Sequence, residues 1–459
     1  MEKGKKYPKT DKIISISEAL EVDYDQLISL QLGKELAPVS ELIRSNMLNE
    51  LPLEFFGIEP ANILQLLSKA PTKLSAFVNS IIQIGRTYDI RFEHFFFSVL
   101  RSYQEIHDNY FEDIEKLAKK FIHDFNIDFK GLDRADQFAD ILSTEYGYQI
   151  EYKGLDSYPE LKSLRYLLIP DDNPRLLLNS SISKAQLLFI LGKEIGYNMM
   201  NLKDRSYTSS WVESKKFDHV LNNFKSYYFS SAIILHEKKF VKGLLEFSTN
   251  EKFNPDRLID LMESYNSNAE MFMLRVSNLI PRYFRFFEMF LFRYNHDLNN
   301  DTFYFTKDFQ SSGMQKPYSL LSDVKSCKRW SGISILQELA SLQANNNYHR
   351  PICKINRVKY IHSKKEYLII SVANPMHPTP NMNCSVSVGF KINQRFLSRT
   401  KFLNDPQIPF KEVDFEWVKK SSAYCDDDLE KPSVMMREVK ISKLRNSVHE
   451  VLYNNLKSI

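Results

Sequence analysis

The stretch from Ala185 to Met200 reads AQLLFILGKEIGYNMM. Its apolar residues recur three and four apart, the period of an amphipathic helix, and that helix is expected over Ser183 to Leu202. Before it the period shortens. Ile150 to Tyr152, Leu164 to Ile169 and Leu176 to Leu178 read as short strands, with Asp171-Asp172-Asn173-Pro174-Arg175 as a turn. After it the pattern is helical again, from Phe217 to His236 and from Pro255 to Leu279. Residues 131–283 are therefore expected to form one α+β domain around the quoted helix.

Working outward, strands dominate beyond Phe284. FFEMFLFRYNH, DTFYFTKDF, YHRPICKINRVKYI, KEYLIISVA and CSVSVGFKI are separated by Asn, Gly, Ser and Pro clusters, the pattern of an antiparallel sheet accompanied by a helix over Ser334 to Gln343. Residues 284–459 form this second α+β domain, closed by a basic amphipathic helix from Val439 to Ile459. On the other side, residues 34–130 read as a helical connector. Pro52, Pro60 and Pro71 punctuate it, and a periodic stretch from Leu74 to Phe125 has no proline. Residues 1–33 hold two short amphipathic units, Ile13 to Leu20 and Val22 to Leu30, too small to bury their apolar faces against each other alone.

Composition excludes several classes of function. The 459 residues carry 61 basic and 57 acidic side chains, a net charge of +4, so any nucleic-acid-binding surface is local. Glycine is scarce, and neither G-x-G-x-x-G nor G-x-x-x-x-G-K-[ST] occurs, which removes the usual backbone cradles for dinucleotides and nucleoside triphosphates. The richest apolar segment, Tyr283 to Tyr294, is interrupted by Arg285, Glu288 and Arg293, so no membrane helix is expected. The four cysteines Cys327, Cys353, Cys384 and Cys425 over so long a chain, with no secretory leader at Met1, point to a reducing, cytoplasmic setting. No nucleophile elbow or cysteine–histidine pair gathers for covalent catalysis.

Three segments carry resemblances to known families. Glu2-Lys3-Gly4-Lys5-Lys6-Tyr7-Pro8 followed by two helices resembles the second half of an XRE-type, lambda-repressor-like helix-turn-helix domain. That resemblance implies phosphate contacts from Lys3, Gly4, Lys5 and Lys6, and places Met1 where the recognition helix ends. The quoted helix, with Tyr228 to Phe240, resembles the ImmA/IrrE-type metallopeptidases, in which an H-E-x-G-H helix grips zinc. In that alignment Lys193 and Tyr197 stand at the two histidine positions, Glu194 at the general base, and Lys225 at the third ligand, while Gly196 is kept. Third, Phe287 to Asn295, Cys327 with Trp330, Val386 to Phe390 and Asn404 to Pro432 are similar to the C-terminal part of the short-chain fatty acyl regulators. Of that family's terminal cysteine cluster Cys425 remains, Trp417 and Lys420 occupying the earlier positions.

An ammonium group has no lone pair to offer a metal at neutral pH, so a zinc site is not expected, and a Lys193–Glu194–Lys225 ion network with Tyr197 hydrogen-bonded is expected in its place. No metal or other cofactor is expected in the C-terminal domain either, since four converging soft donors are missing. The resemblances together imply a non-enzymatic transcription regulator that acts on DNA as a homodimer. DNA binding is expected to be weak without the missing recognition helix. The effector is expected to be a small metabolite such as an acyl-coenzyme A, with Arg293, Cys327 and Trp330 as its pocket. A protein-interaction scaffold that has lost both DNA reading and peptidase activity is the alternative.

Overall fold

A computed structural model describes residues 92–129, 134–208, 217–310, 330–346, 348–360, 364–379, 381–413, 444 and 446–453. The basic turn at Lys3, Gly4, Lys5 and Lys6, both N-terminal amphipathic units, Cys327 and Cys425 lie outside the described residues. The chain divides into two compact units, residues 1–99 with 215–217 and residues 100–214 with 218–459.

The architecture is α+β. Helices α1 (Phe92–Ile106), α2 (Glu112–Asp124) and α3 (Arg134–Tyr146) come first. Strands β1 (Gln149–Glu151), β2 (Tyr166–Ile169) and β3 (Arg175–Leu178) follow, then α4 (Lys184–Met199), α5 (Phe217–Ile234), α6 (Glu237–Ser248), α7 (Pro255–Ser264) and α8 (Ala269–Phe284). The remainder is β4 (Met289–Asp297), β5 (Thr302–Gln310), α9 (Ser331–Asn346), β6 (Ile352–Tyr360), β7 (Glu366–Pro375), β8 (Met382–Lys391), α10 (Gln394–Arg399) and β9 (Phe410–Val413).

Helices α4, α5, α7, α8 and α9 fall where the periodicity marks helix, whereas α3 and α6 lie where no helix was expected, and the periodic stretch ending at Phe125 is divided into α1 and α2. The segment read as one helix from Phe217 to His236 ends at Ile234, and α6 restarts at Glu237. The segment from Pro255 to Leu279 is two helices, α7 and α8. Asn266 adopts a left-handed φ of 50° between them, and the Asn268 side chain accepts the Met271 amide to cap the second. Short Asn-rich interruptions of this kind leave the apolar period on either side intact, so periodicity alone does not reveal them.

A small sheet in the order β1-β3-β2 pairs β1 parallel and β2 antiparallel to β3. The large sheet runs β5-β4-β8-β7-β6-β9. Five of its strands are antiparallel as expected, but β9 joins β6 in parallel, which makes the sheet mixed.

One apolar core runs from Phe111, just before α2, through α4, α5 and α8 to one face of the large sheet, where it takes in Met289, Leu291, Val386, Val388 and Phe390. The opposite sheet face, with Phe290, Phe292 and Tyr294, packs under Ile333, Leu336 and Leu339 of α9. A third cluster places Val448 and Val451 of the C-terminal helical residues against Leu167, Ile169 and Leu177 on the outer face of the small sheet. Strand alternation thus sorts odd and even residues of β4 into two different cores.

Candidate ligand site

Helix α4 is fixed at its start by a reciprocal cap. The Ser183 hydroxyl accepts the Gln186 amide at 3.3 Å, and the Gln186 side-chain oxygen accepts the Ser183 amide at 3.0 Å. Further along, Gly192 and Gly196 let α5 come close. A Cβ at Gly192 would stand 2.5 Å from the Ser230 hydroxyl, and one at Gly196 3.0 Å from the Phe229 ring. Gly196, like Gly192, therefore sits in the tight packing between α4 and α5.

That close approach brings α5 side chains onto the polar face of α4. Lys193 Nζ donates to Asn223 Oδ1 at 2.7 Å and to the Tyr166 hydroxyl at 3.3 Å, and it sits near the faces of the Tyr166 and Tyr197 rings. The Tyr197 hydroxyl donates to the same Asn223 oxygen at 3.4 Å. Lys225 does not join this group. Two residues along a helix amounts to a rotation of roughly 200°, so the face of α5 that carries Asn223 turns Lys225 away. The position expected to hold the third member of the cluster is filled by an amide two residues earlier.

Glu194 is wholly buried and also differs from the expected network, since it pairs with Arg205 instead of with Lys193 or Lys225. Arg205 Nη2 lies 2.6 Å from both Glu194 oxygens, and its guanidinium stacks 3.9 Å from the Tyr197 ring centre. The Tyr148 hydroxyl donates to Glu194 at 3.0 Å and accepts the Asn198 amide at 3.1 Å. Burial acts to lower the Arg205 pKa, but the Glu194 carboxylate more than reverses this and holds it above its ordinary value. Arg205 arrives on the segment after α4, where Leu168 donates its amide to Tyr207. No periodic or motif signal marked Arg205 or Asn223, because each acts through a long-range contact from an otherwise ordinary position.

Lys193 is 6% exposed. Burial, reinforced by Arg205, Arg165 and Lys307, pushes its pKa down to about 8 against the pull of Glu194. At pH 7 it is mainly an ammonium. Burial raises the Tyr197 pKa to about 12, so this side chain is a neutral phenol. These residues do not fit zinc. One histidine position presents an ammonium and the other a neutral phenol. The carboxylate at the base position is neutralised by a guanidinium, and the nearby amide oxygen faces the ammonium.

Beside Lys193 opens a cleft with about 40 Å³ of room. Arg165, Tyr166, Gln186, Lys193, Tyr227, Asn268 and Glu270 are among the residues that line it. Glu270 is held from behind by two cations: Arg293 Nε lies 3.2 Å from one oxygen and Lys307 Nζ 3.0 Å from the other. Burial acts to raise the Glu270 pKa, but Arg293, Lys307 and Arg165 hold it well below the usual carboxylate range. The loop between β7 and β8 reaches the rim, where the His377 carbonyl accepts from Gln186 Nε2 at 2.6 Å and from Arg165 Nε at 3.4 Å.

Arg293 thus stands behind this cleft, on the same face of β4 as Met289 and Leu291. Trp330 packs against the core on the opposite sheet face. The structure does not bring these two together, because consecutive β4 side chains alternate between faces.

No protein-family model matches the chain, and no curated protein matches it. Among solved structures, a Mycobacterium tuberculosis transcriptional regulator is similar over 69% of this chain and 100% of its own, at 14% sequence identity and a TM-score of 0.46. No described helix is long and apolar enough to cross a membrane.

Proposed function

We propose that this chain is a transcription regulator in which a peptidase-like centre has been turned from hydrolysis to ligand sensing. The observation that carries the reading is the Lys193–Asn223–Tyr197 group beside the closed Glu194–Arg205 pair. It leaves neither a metal-binding donor set nor a free general base at the positions where a metallopeptidase of the resembled type has both. In this reading residues 1–33 supply phosphate contacts through Lys3, Lys5 and Lys6, the helical connector transmits the signal, and the regulator works as a homodimer. The effector is a small metabolite such as an acyl-coenzyme A. Its control of DNA binding requires that it bind the two quaternary arrangements with different affinity.

The test is immunoprecipitation of the tagged protein with its cross-linked DNA, followed by sequencing. Discrete enrichment at a small set of promoters is expected, with expression of the adjoining genes changing when the gene is deleted. Uniform background enrichment with unchanged transcripts contradicts the regulator reading. For purified residues 1–459, weak and strongly salt-dependent DNA association is expected. Replacing Lys3, Lys5 and Lys6 by Gln should flatten the salt dependence, by roughly one unit of log–log slope for each DNA phosphate that is no longer neutralised.

A further inference from the structure

The cleft beside Lys193 has an imbalance that the fold does not resolve. Glu270 is the one carboxylate lining it among the described residues, and Arg293 and Lys307 already take both of its oxygens. Lys193, which also lines it, is buried, yet its contacts are the neutral acceptors Asn223 and Tyr166. Glu194, next to it in sequence, is committed to Arg205. Arg165 lines the same cleft, and the capped first turn of α8 adds its helix dipole through Asn268 and Glu270. Burying an ammonium without a carboxylate in contact is costly unless an anion arrives to share its field.

We propose that this cleft binds a small anion, the carboxylate or phosphoryl head of a metabolite, with Lys193 as its central cation and Arg165 and Gln186 as donors at the rim. The room of about 40 Å³ suits a charged head group of a few atoms, since a cavity needs roughly 10–15 Å³ on the same measure to hold one water. The proposal rests on the sensing reading only for its consequence. Gln186 and Arg165 also hold the His377 carbonyl, so an anion that recruits them competes with the β7–β8 loop. Occupancy of the cleft is thereby linked to the seam between the helices and the large sheet. Binding itself is measurable without DNA, so its failure is distinguishable from failure of the regulator reading.

The anion also brings a pH signature. Lys193 faces Tyr166 from β2, Asn223 from α5 and Tyr197 from its own helix, and it feels Glu194, Arg205, Arg165 and Lys307. The Lys193 pKa of about 8 places the loss of its proton between pH 7 and 9, and that loss removes the attraction.

The test is isothermal titration of the full chain with sodium acetate and, separately, with inorganic phosphate, using chloride as the ionic-strength control. We expect saturable one-to-one binding of at least one of the two, and the one that binds identifies the head group as carboxylate or phosphoryl. With acetate, which does not titrate in this range, affinity should fall about tenfold from pH 7 to pH 9 as the Lys193 ammonium is lost. If phosphate is the binder, a shallower fall of about fourfold is expected, because its dianion fraction rises from roughly 0.4 at pH 7 to nearly 1 at pH 9 while Lys193 loses its proton. Lys193→Met should weaken binding at least tenfold and abolish the fall with pH. Arg165→Gln, at the half-exposed rim, should weaken it severalfold while leaving the pH dependence in place, and it serves if the Lys193 variant does not fold. Absence of saturable binding by both anions, or binding indifferent to pH and to both substitutions, overturns the proposal.

Discussion

Two buried ionic centres lie in the same unit and differ in how completely they are satisfied. Between α2, α5 and α8, Arg275 and Glu115 form a two-pronged pair at 2.5 and 3.0 Å, both side chains almost fully buried. The remaining valences are filled, as Arg275 Nε donates to the Leu235 carbonyl, and the Tyr228 hydroxyl donates to Glu115 and accepts the Phe111 amide. Nothing is left over for a ligand. At the Lys193 cleft, by contrast, the charges that could neutralise one another are paired elsewhere, and a buried ammonium is left facing open volume. A saturated network fixes architecture, whereas an unsaturated one beside a cavity has capacity for chemistry or binding.

The largest effect is expected from breaking the saturated centre. Glu115→Ala should cost about 3–5 kcal/mol in denaturant unfolding, because it leaves the Arg275 guanidinium uncompensated in the core. A paired replacement, Glu115→Leu with Arg275→Met, should recover much of that loss. Failure to recover would assign the pair a role beyond packing.

Lys193 should behave in the opposite way. Its pKa is lowered in the folded protein to about 8 from an ordinary 10.5. Between these values the unfolded chain holds a proton that the folded chain has lost, so its contribution makes stability rise with pH, by about 1.4 kcal/mol per unit. Below pH 8 both states are protonated and the contribution is flat. In unfolding measurements from pH 7 to 10, wild-type stability relative to Lys193→Met should therefore climb above pH 8. A flat difference would mean that the ammonium is not desolvated in the fold.

A smaller loss, about 1.5–3 kcal/mol, is expected for Glu194→Gln, which keeps the shape but removes the charge that holds Arg205. The loss should show in the same unfolding assay, and the pH dependence of anion binding should move to lower pH, since Glu194 is the charge that pulls the Lys193 pKa up. At the bottom of the scale is the exposed Arg350 fan onto Asp260 and Glu263, at 2.7 and 3.0 Å. Arg350→Ala should leave the unfolding midpoint unchanged, because solvent screens charges in that position. A clear shift there would remove the contrast between buried and exposed ionic groups.

Much of the fold was legible because the apolar period is set by burial and does not depend on the polar residues of the site. The helix at Ala185 to Met200 and the large-sheet strands through CSVSVGFKI were readable from spacing alone. The parallel docking of β9 and the split between α7 and α8 were not, since both depend on contacts or single backbone angles remote from any repeating pattern. The site was legible in part. Lys193, Glu194 and Tyr197 were marked by the resemblance of their helix to a metal-binding helix, but their partners Asn223 and Arg205 were not, because long-range hydrogen bonds leave no trace in local spacing. The pairing of Arg293 with Trp330 ignored strand alternation, which on β4 sends neighbouring positions into separate cores.

The most direct test of the proposed conversion is metal analysis of the purified full chain, combined with calorimetric titration by zinc after dialysis against a chelator. Lys193, Tyr197 and Asn223 supply no anionic donor, so we expect well under one zinc per chain on purification and no saturable uptake at micromolar concentration. One tightly held zinc per chain, lost in Lys193→Met or Asn223→Ala, would contradict the conversion of this centre from metal to anion.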